Sequence, residues 1–409
     1  MACSYSCWII KSTKPKPFKE EQTMYKVYTI FAELLKLCPR YQFEKATERY
    51  RGDRYVKTFT AWQQYITILY SQITQKDSLR DIETGLAAQS DRLYHLGLGK
   101  IHRSTLSDAN TKRDYRIFED MFCYLLARCR NLTPKHTFRF KNPLYTIDAT
   151  VIDLCLSVFP WAKFRKTKGA IKMHCLYDHS GALPSFLAIS DGKKHEITAV
   201  KETAFPLLPD SIISVDKAYI DYTWLYSLNM KRIWFVTRAK SNIDYVITGQ
   251  HPVKGKGVIG DEQISLTGPL TKDKYPRDLR LIRFYDEERQ KTLTFLTNNF
   301  RLAAMTIAQI YKSRWQIELF FKWIKQNLKI KSFLGTSKNA VLTQIWVAMC
   351  YYLLLTYIKY QTKYGYSLLN LSRIIRETLF DRKSLIDILN LYPEHRQTMK
   401  NEMLQGTLF

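Results

Sequence analysis

The chain has 409 residues and a hydrophobic content of 46%, which is enough for two or three domains with real cores and excludes an intrinsically disordered protein. It carries 63 lysine and arginine residues against 37 aspartate and glutamate residues, a formal net charge of +26. Solvated lysines that only aid solubility seldom need such an imbalance, so a polyanionic partner is favoured, with nucleic acid first.

The composition also favours a reducing, aqueous location. The eight cysteines are scattered, with no Cys-x-x-Cys pair and no zinc-type spacing, as expected for a cytoplasmic protein. The apolar run Cys7–Ile10 is too short for a signal peptide. A second apolar run, Ile345–Tyr360, contains Lys359, and we expect it to form a buried helix rather than a membrane span.

The N-terminal third of the chain is predicted to be helical. Residues 1–23 resemble a basic, polar tail, and residues 24–135 form the predicted helical domain. Within it, Thr105-Leu-Ser-Asp108 has the character of a helix N-cap and opens a basic helix with Lys112 and Arg113. A glycine turn precedes this helix, an order compatible with a DNA-binding helix-turn-helix, although any helical bundle can produce it.

The pattern changes to strands at Asn142-Pro143. Residues 145–151 alternate between apolar and polar side chains, which predicts a half-buried strand. The strands and helix predicted next are Ala170–Tyr177, Leu183–Ile189, Ile212–Asp216, a helix near Tyr222–Asn229, and Ile233–Thr237. This order predicts an α/β fold with a mixed sheet, and the glycine-rich segment 241–302 reads as a β-rich insertion.

Two acidic residues stand at the ends of apolar strands. Asp148 ends the run Leu-Tyr-Thr-Ile-Asp, and Asp216 ends Ile-Ile-Ser-Val-Asp. Catalytic groups gather at strand ends in open α/β sheets. Either aspartate alone is better explained as a strand-end or turn acid.

A helix predicted from Thr306 to Ile330 supplies the third acidic residue. Tyr311, Arg314, Glu318 and Lys325 have offsets of 0, 3, 7 and 14, which place their side chains within roughly 60° of one another. An ordinary amphipathic helix with solvated charges has the same periodicity. Three carboxylates from two strands and one helix, however, would suit two divalent cations about 4 Å apart, as used in phosphoryl transfer. No carboxylate follows Glu318 until Glu377, and the lysines and arginines between them suit a phosphate backbone.

The spacing Tyr311-(2)-Arg314-(3)-Glu318-(6)-Lys325 resembles the tyrosine-arginine-glutamate-lysine motif of DDE transposases of the insertion-sequence-4 family. The segments Ile147–Thr150 and Val215–Asp221 resemble that family's first and second aspartate strands. The second has Lys217-Ala218 where the family commonly has arginine-glycine, and alanine would strain a turn that required a positive φ. The insertion also lacks the tryptophan with which family members often stack a flipped base, leaving the substitutes Tyr245, Tyr275, Phe284 and Tyr285.

The resemblance implies a ribonuclease-H-like mixed sheet in residues 140–240 and 303–335, interrupted by the β-rich insertion 241–302 and followed by a helical region at 336–409. It implies that Asp148, Asp216 and Glu318 are catalytic and bind two Mg²⁺ ions, which Mn²⁺ could replace. Tyr311, Arg314 and Lys325 would bind DNA phosphate.

The implied activity is cut-and-paste transposition by a bacterial, nucleoid-associated protein that needs no membrane. Its DNA partners would be terminal inverted repeats and target DNA, with a homodimer in the active end complex. Two alternatives stay open from the sequence: a ribonuclease-H-fold nuclease without strand transfer, and an inactive or domesticated DNA-binding descendant.

Overall fold

The protein is described here by a computed structural model that covers residues 28–162, 169–193, 195–203 and 205–390. The predicted tail, residues 1–23, lies outside this range. The described residues form two compact units. The sheet unit comprises residues 134–152 and the described residues from 169 to 321, and the helical unit comprises residues 28–133, 153–162 and 322–390.

Fourteen helices and nine strands are found in the described residues. The helices are α1 Ile30–Lys36, α2 Arg40–Arg49, α3 Ala61–Ile73, α4 Leu79–Ala87, α5 Ser90–Leu93, α6 Arg103–Lys112, α7 Arg116–Arg130, α8 Glu196–Thr203, α9 Tyr222–Met230, α10 Ala304–Ser313, α11 Trp315–Asn327, α12 Lys338–Gln361, α13 Leu368–Thr378 and α14 Leu385–Asn390. The strands are β1 Leu144–Leu154, β2 Gly169–Asp178, β3 Leu183–Asp191, β4 Ile212–Val215, β5 Trp234–Arg238, β6 Tyr245–Gln250, β7 Val258–Leu266, β8 Leu279–Asp286 and β9 Lys291–Thr297.

All nine strands belong to one sheet, in the order β3-β2-β1-β4-β5-β9-β8-β7-β6. β1, β4 and β5 are parallel neighbours. β3 runs antiparallel to β2, and β9, β8, β7 and β6 follow β5 as successive antiparallel neighbours. The predicted mixed α/β sheet is therefore confirmed. The strands of the predicted insertion do not stand apart, because β9 pairs with β5 and extends the same sheet.

The first strand differs from its prediction in two ways. Residues Leu144–Ile147 are all buried, so the half-buried alternation is wrong there. Both faces of this central strand are covered, which is usual for the parallel part of an α/β sheet. Thr146, the polar residue of the segment, shares a 2.8 Å hydrogen bond with His179 Nε2. The strand also continues to Leu154, so Asp148 lies within β1 rather than at its end.

α10 packs on the sheet through an apolar face. Ile307, Ala308, Ile310 and Tyr311 belong to one buried cluster with residues of the central strands and of β7, β8 and β9. Each fully buried aliphatic side chain of this kind contributes about 1.5–3 kcal/mol. This packing fixes the end of α10 against the sheet, and the chain enters α11 from that position.

The helical unit is built around α12. This helix has 24 residues, and α3, α6, α7 and α13 pack against it. By length and composition α12 could cross a membrane, but its most apolar stretch is wholly buried inside the protein. The predicted buried helix at Ile345–Tyr360 is thus found as the core of this unit.

The predicted basic helix near Thr105 exists, with different details. α6 begins at Arg103, so Thr105 lies inside the helix and is not its cap. Arg113 is buried and donates hydrogen bonds to Gln64 and to the carbonyl oxygens of Gly52 and Phe59. The prediction that Arg113 could enter a DNA groove is therefore wrong, whereas Lys112 is exposed.

His179 makes the sheet unit sensitive to acid. Burial, with a smaller contribution from His136, lowers the pKa of His179 to about 3. Below about pH 6.5 the imidazole of His179 is protonated in the unfolded chain but stays neutral in the folded unit. The free energy of unfolding should therefore fall as the pH is lowered from about 6.5, by about 1.4 kcal/mol per pH unit. We expect His179→Gln to remove this part of the slope, measured by amide hydrogen exchange in β1 and β2 between about pH 4 and pH 6.5. The exposed His195→Gln is the control, and equal slopes in all three proteins would contradict the assignment.

Candidate active site

The strand register places the two aspartates at matching positions. Ile147 pairs with Val215 at the end of the parallel ladder between β1 and β4. Asp148 follows Ile147 and Asp216 follows Val215, so the two aspartates lie side by side just beyond the last paired residues. Both are partly buried. Parallel pairing thus brings together two carboxylates that stand far apart in the sequence.

Asp216 is followed by a tight right-handed turn. Residues Lys217–Tyr219 form a 3-10 turn, in which the amide of Tyr219 donates to the carbonyl oxygen of Asp216 at 3.0 Å. Ala218 has no positive φ. The strain expected from alanine in place of glycine is therefore absent, because a 3-10 turn admits any L residue.

The predicted single helix is broken in two at the motif. α10 ends at Ser313, Arg314 forms a turn, and α11 begins at Trp315. The amide of Arg314 donates to Tyr311 at 3.2 Å, and the amide of Ile317 donates to Arg314 at 3.2 Å, the i to i+3 spacing of a tightened turn. Arg314 keeps right-handed helical dihedral angles at this break, and Tyr311, Arg314 and Glu318 meet in one site.

Arg314 connects the first aspartate to the glutamate. Its Nη2 atom donates to Glu318 Oε1 at 2.6 Å, and its Nη1 atom lies 3.4 Å from Asp148 Oδ2. The first contact is a short charge-assisted hydrogen bond, and the second is a looser ion pair. Only 14% of the Arg314 side chain is exposed, so the pairing takes place largely out of water.

Tyr311 connects α10 to the second aspartate. Its hydroxyl donates to Asp216 Oδ1 at 3.3 Å. Its ring is buried against Phe295, with centroids 5.1 Å apart. The apolar core therefore holds the ring while the hydroxyl reaches the site, and all three predicted carboxylates are linked through Tyr311 and Arg314.

The electrostatics of the site favour a bound cation. Burial raises the pKa of Asp148 to about 6, although the Ala149 amide and Arg314 oppose that rise. Burial lowers the pKa of Arg314, but its hydrogen bond to Glu318, with Tyr311 and Asp148, outweighs this and leaves the pKa above the ordinary value. A positive charge beside Asp148 favours its charged form, and here the Arg314 guanidinium supplies that charge.

The side chains as placed do not form a ready metal cage. Within the part of the chain that the structure describes, no three His, Cys, Asp or Glu side chains are grouped so as to hold an ion. Arg314 engages Asp148 and Glu318 instead. The donor types, all carboxylate oxygens, nevertheless suit a hard divalent cation.

Lys325, the last residue of the predicted motif, lies further along α11, in the part that belongs to the helical unit. Burial lowers its pKa, Lys331 lowers it further, and Asp153 opposes them. Two neighbouring lysines with one carboxylate nearby are a suitable place for an anion. A role for Lys325 in the site stays a prediction.

Two charged residues near the aspartates were not predicted from the sequence. Glu196, at the start of α8, raises the pKa of Asp148 and pairs with Lys172 at 3.7 Å. Burial raises the pKa of Tyr311, and Arg238, the last residue of β5, is one of the charges that oppose this rise at the hydroxyl that contacts Asp216. The signal for Arg238 was its position at the end of a strand, but only the register shows which strand it neighbours.

Comparison with known proteins identifies the family. The family model described as "Transposase DDE domain" matches residues 139–354, more than half of the chain. This chain belongs to the DDE transposase family. A second family model, described as a domain of unknown function, matches residues 27–99. The fold is accordingly the ribonuclease-H-like mixed sheet that the resemblance implied.

Relatives of the transposase carry matching names. The protein named "Putative transposase y4zB" of Sinorhizobium fredii is 32% identical over 300 residues, which cover 71% of this chain and 82% of that protein. "Probable transposase for insertion sequence element IS5377" of Geobacillus stearothermophilus is 26% identical over 272 residues, covering 65% and 70%. "Putative transposase for insertion sequence element IS4SA" of Synechocystis sp. is 22% identical over 293 residues, covering 69% and 79%. The transposase is thus an enzyme acting on DNA, and its relatives are consistent with the predicted insertion-sequence-4 family.

Proposed function

We propose that Asp148, Asp216 and Glu318 are the catalytic carboxylates of this transposase, and that Tyr311, Arg314 and Lys325 bind DNA phosphate. The proposal is carried by one observation, the chain of contacts in which Arg314 touches Asp148 and Glu318 while Tyr311 touches Asp216. Residues from two strands and two helices converge there on a single cluster of opposite charges.

The family uses divalent metal ions, and the donor set fits two Mg²⁺ ions, with Mn²⁺ able to substitute. Asp148, Asp216 and Glu318 would hold them, since magnesium takes carboxylate oxygens and substrate phosphates as ligands. Bound ions of this kind activate an attacking oxygen and stabilise a leaving one in phosphoryl transfer. The raised pKa of Asp148 supports the fit, because a nearby cation favours its charged form.

Arg314 can pair either with the two carboxylates or with a DNA phosphate. With DNA absent, it neutralises Asp148 and Glu318. When a strand enters, its phosphate offers the guanidinium a bidentate partner of the geometry that arginine prefers. Turning to the phosphate releases both carboxylates. Tyr311 is held by the core and stays in place as Arg314 turns.

The proposed reaction is cut-and-paste transposition. Water cuts one strand at the end of the element and leaves a 3′-hydroxyl and a 5′-phosphate. The 3′-hydroxyl then attacks the opposite strand, which closes a hairpin and releases the flanking DNA. Water opens the hairpin, and the regenerated 3′-hydroxyl attacks a phosphodiester of the target.

Hairpin formation in the family often uses an aromatic side chain that stacks on a flipped base. Tyr275 and Phe284 are buried in the core, and the Tyr285 hydroxyl donates to Gln290 at 2.8 Å. Tyr245 lines an open groove beside Lys217 and is the best placed of the four substitutes.

The proposed partners are the terminal inverted repeats and the target DNA. A homodimer would join two ends in the active complex, acting in the bacterial cytoplasm at the nucleoid and without a membrane. The net charge of +26 supports association with DNA. Residues 24–135 are proposed to read the repeat through the exposed face of α6.

Removal of any one carboxylate should abolish cleavage. In Asp148→Asn, Asp216→Asn and Glu318→Gln the shape is kept and the charge that holds a cation is lost. We expect a loss beyond the roughly 10- to 100-fold that an outer-shell partner costs, with binding to the ends retained. The assay is end cleavage with Mg²⁺. Glu287→Gln is the control, since Glu287 is exposed and paired with Lys256, and near-normal activity of any of the first three variants would remove that residue from the site.

Arg314 and Lys325 should act on phosphate. Arg314→Ala and Lys325→Ala should each lower the log–log slope of end-complex assembly against salt by about 0.9, without changing the Mg²⁺ requirement of cleavage. Lys312→Ala is the control, because Lys312 is already paired with Asp286 and Glu288. Lys322 and Lys329 could compensate for the loss of one cation, so the double variant Arg314→Ala, Lys325→Ala is the stronger test. An unchanged slope with a sharply raised Mg²⁺ requirement would show instead that these cations organise the metal ions.

Lys112 should contact the repeat. It is exposed near the end of α6, and Asp108 approaches it only to 3.8 Å, a weak surface pair. Lys112→Gln in the full chain should weaken binding to a terminal-repeat duplex and lower the salt slope by about 0.9, measured by anisotropy. The exposed Lys57→Gln should not. If the two variants behave alike, α6 does not lie on the DNA.

A further inference from the structure

A groove of about 620 Å³ opens in the sheet unit beside the second aspartate. Lys217, Arg238 and Lys240 line it, together with the hydroxyl residues Thr292 and Thr294 of β9. None of the described residues that line the groove is acidic. A concave surface with three positive charges and no negative charge concentrates anions.

The register joins this groove to the catalytic strands. Ser214 pairs with Val236 in the parallel ladder of β4 and β5. Asp216 lies two residues after Ser214, and Arg238 lies two residues after Val236, so these two residues are at matching positions. Asp148 and Asp216 are at matching positions in the same way, directly after the ladder of β1 and β4. Arg238 therefore extends the row begun by the two aspartates, and Lys217 follows Asp216 directly.

The three cations are not used to hold the fold together by ion pairs. Other cations of the sheet unit are paired with carboxylates, as Arg280 is with Asp261 and Arg283 with Glu262. Within the described residues, Lys217, Arg238 and Lys240 have no carboxylate partner at ion-pair distance, and Lys240 donates only to the carbonyl oxygen of Ile220, at 3.3 Å. Positive charges left without a partner beside an active site are available to a substrate anion.

We infer that the groove binds the phosphodiester backbone of a single DNA strand, with Lys217, Arg238 and Lys240 as positioning residues that hold phosphates on the side of Asp216 away from Arg314. The inference rests on the proposed function. The groove, at about 620 Å³, has the volume of a small-ligand pocket and is too small to admit a double helix. The occupant is therefore a strand separated from its partner, as a strand is when an end is opened for cleavage.

The test measures binding without cleavage. The full chain is titrated with a labelled short oligothymidylate in chelator, across a salt series. We expect the triple variant Lys217→Gln, Arg238→Gln, Lys240→Gln to bind at least about tenfold more weakly. Its salt slope should fall by about 2, since each phosphate contact with a single strand accounts for about 0.7. Arg238→Lys alone should keep most of the affinity.

The matched control is Lys254→Gln, Lys272→Gln, Arg289→Gln, which removes the same charge from exposed positions outside the groove. Equal losses in the two triple variants, or no loss in the first, would overturn the inference. So would a duplex of the same length losing as much as the single strand, or inorganic phosphate displacing the oligothymidylate at equal phosphate concentration. If Arg238→Gln lowers the melting temperature, the double variant Lys217→Gln, Lys240→Gln gives the same readout. Failure of the proposed function would appear separately, as an unaltered chain that does not cleave with Mg²⁺.

Discussion

The parallel ladder between β1 and β4 is the constraint on which the site depends. It ends at Ile147 and Val215, and the next residues are Asp148 and Asp216. A slip of one residue would send one carboxylate to the opposite face of the sheet. Burial of all four residues from Leu144 to Ile147, and of Ile212–Val215 opposite them, makes such a slip costly, because apolar side chains on both faces would have to be repacked. The most ordinary part of the sheet, four paired residues on two strands, thus sets the relative position of Asp148 and Asp216.

The third carboxylate is placed by a different device. α10 is held by its apolar face, and the turn at Arg314 joins it to α11. A guanidinium at this turn can reach both Glu318, four residues on, and Asp148 on the sheet. The buried negative charges are therefore balanced by a group that can exchange partners. Under the proposed function, a fixed apolar anchor beside a cation that changes partners would let the site be stable before DNA arrives and still accept it.

The sequence predicted the parts of this site that are local. Apolar runs that end in aspartate identified β1 and β4, and the spacing of Tyr311, Arg314 and Glu318 identified the helix edge, because both signals lie within short segments. The break at Arg314 was missed, since no glycine or proline marks it and it is accompanied by contacts with the sheet. Arg113 was misread as exposed because its partners at Gly52, Phe59 and Gln64 are about fifty to sixty positions away. The place of Arg238 depends on a strand register, which no pattern within β5 reveals.

The distance along the chain between the site's members has a consequence for biosynthesis. Asp148 and Glu318 stand 170 positions apart, and β9, which pairs with β5, precedes α10 and α11 in the sequence. Contacts so far apart in sequence form late and slowly. A chain still on the ribosome with β1 and β4 made would hold two neighbouring carboxylates and no Arg314 to balance them. Without Arg314, the burial that raises the pKa of Asp148 would disfavour early closure of that ladder, so the central sheet would gain its stability together with α10 and α11. Assembly of the proposed catalytic centre and folding of the sheet unit would then be one cooperative event.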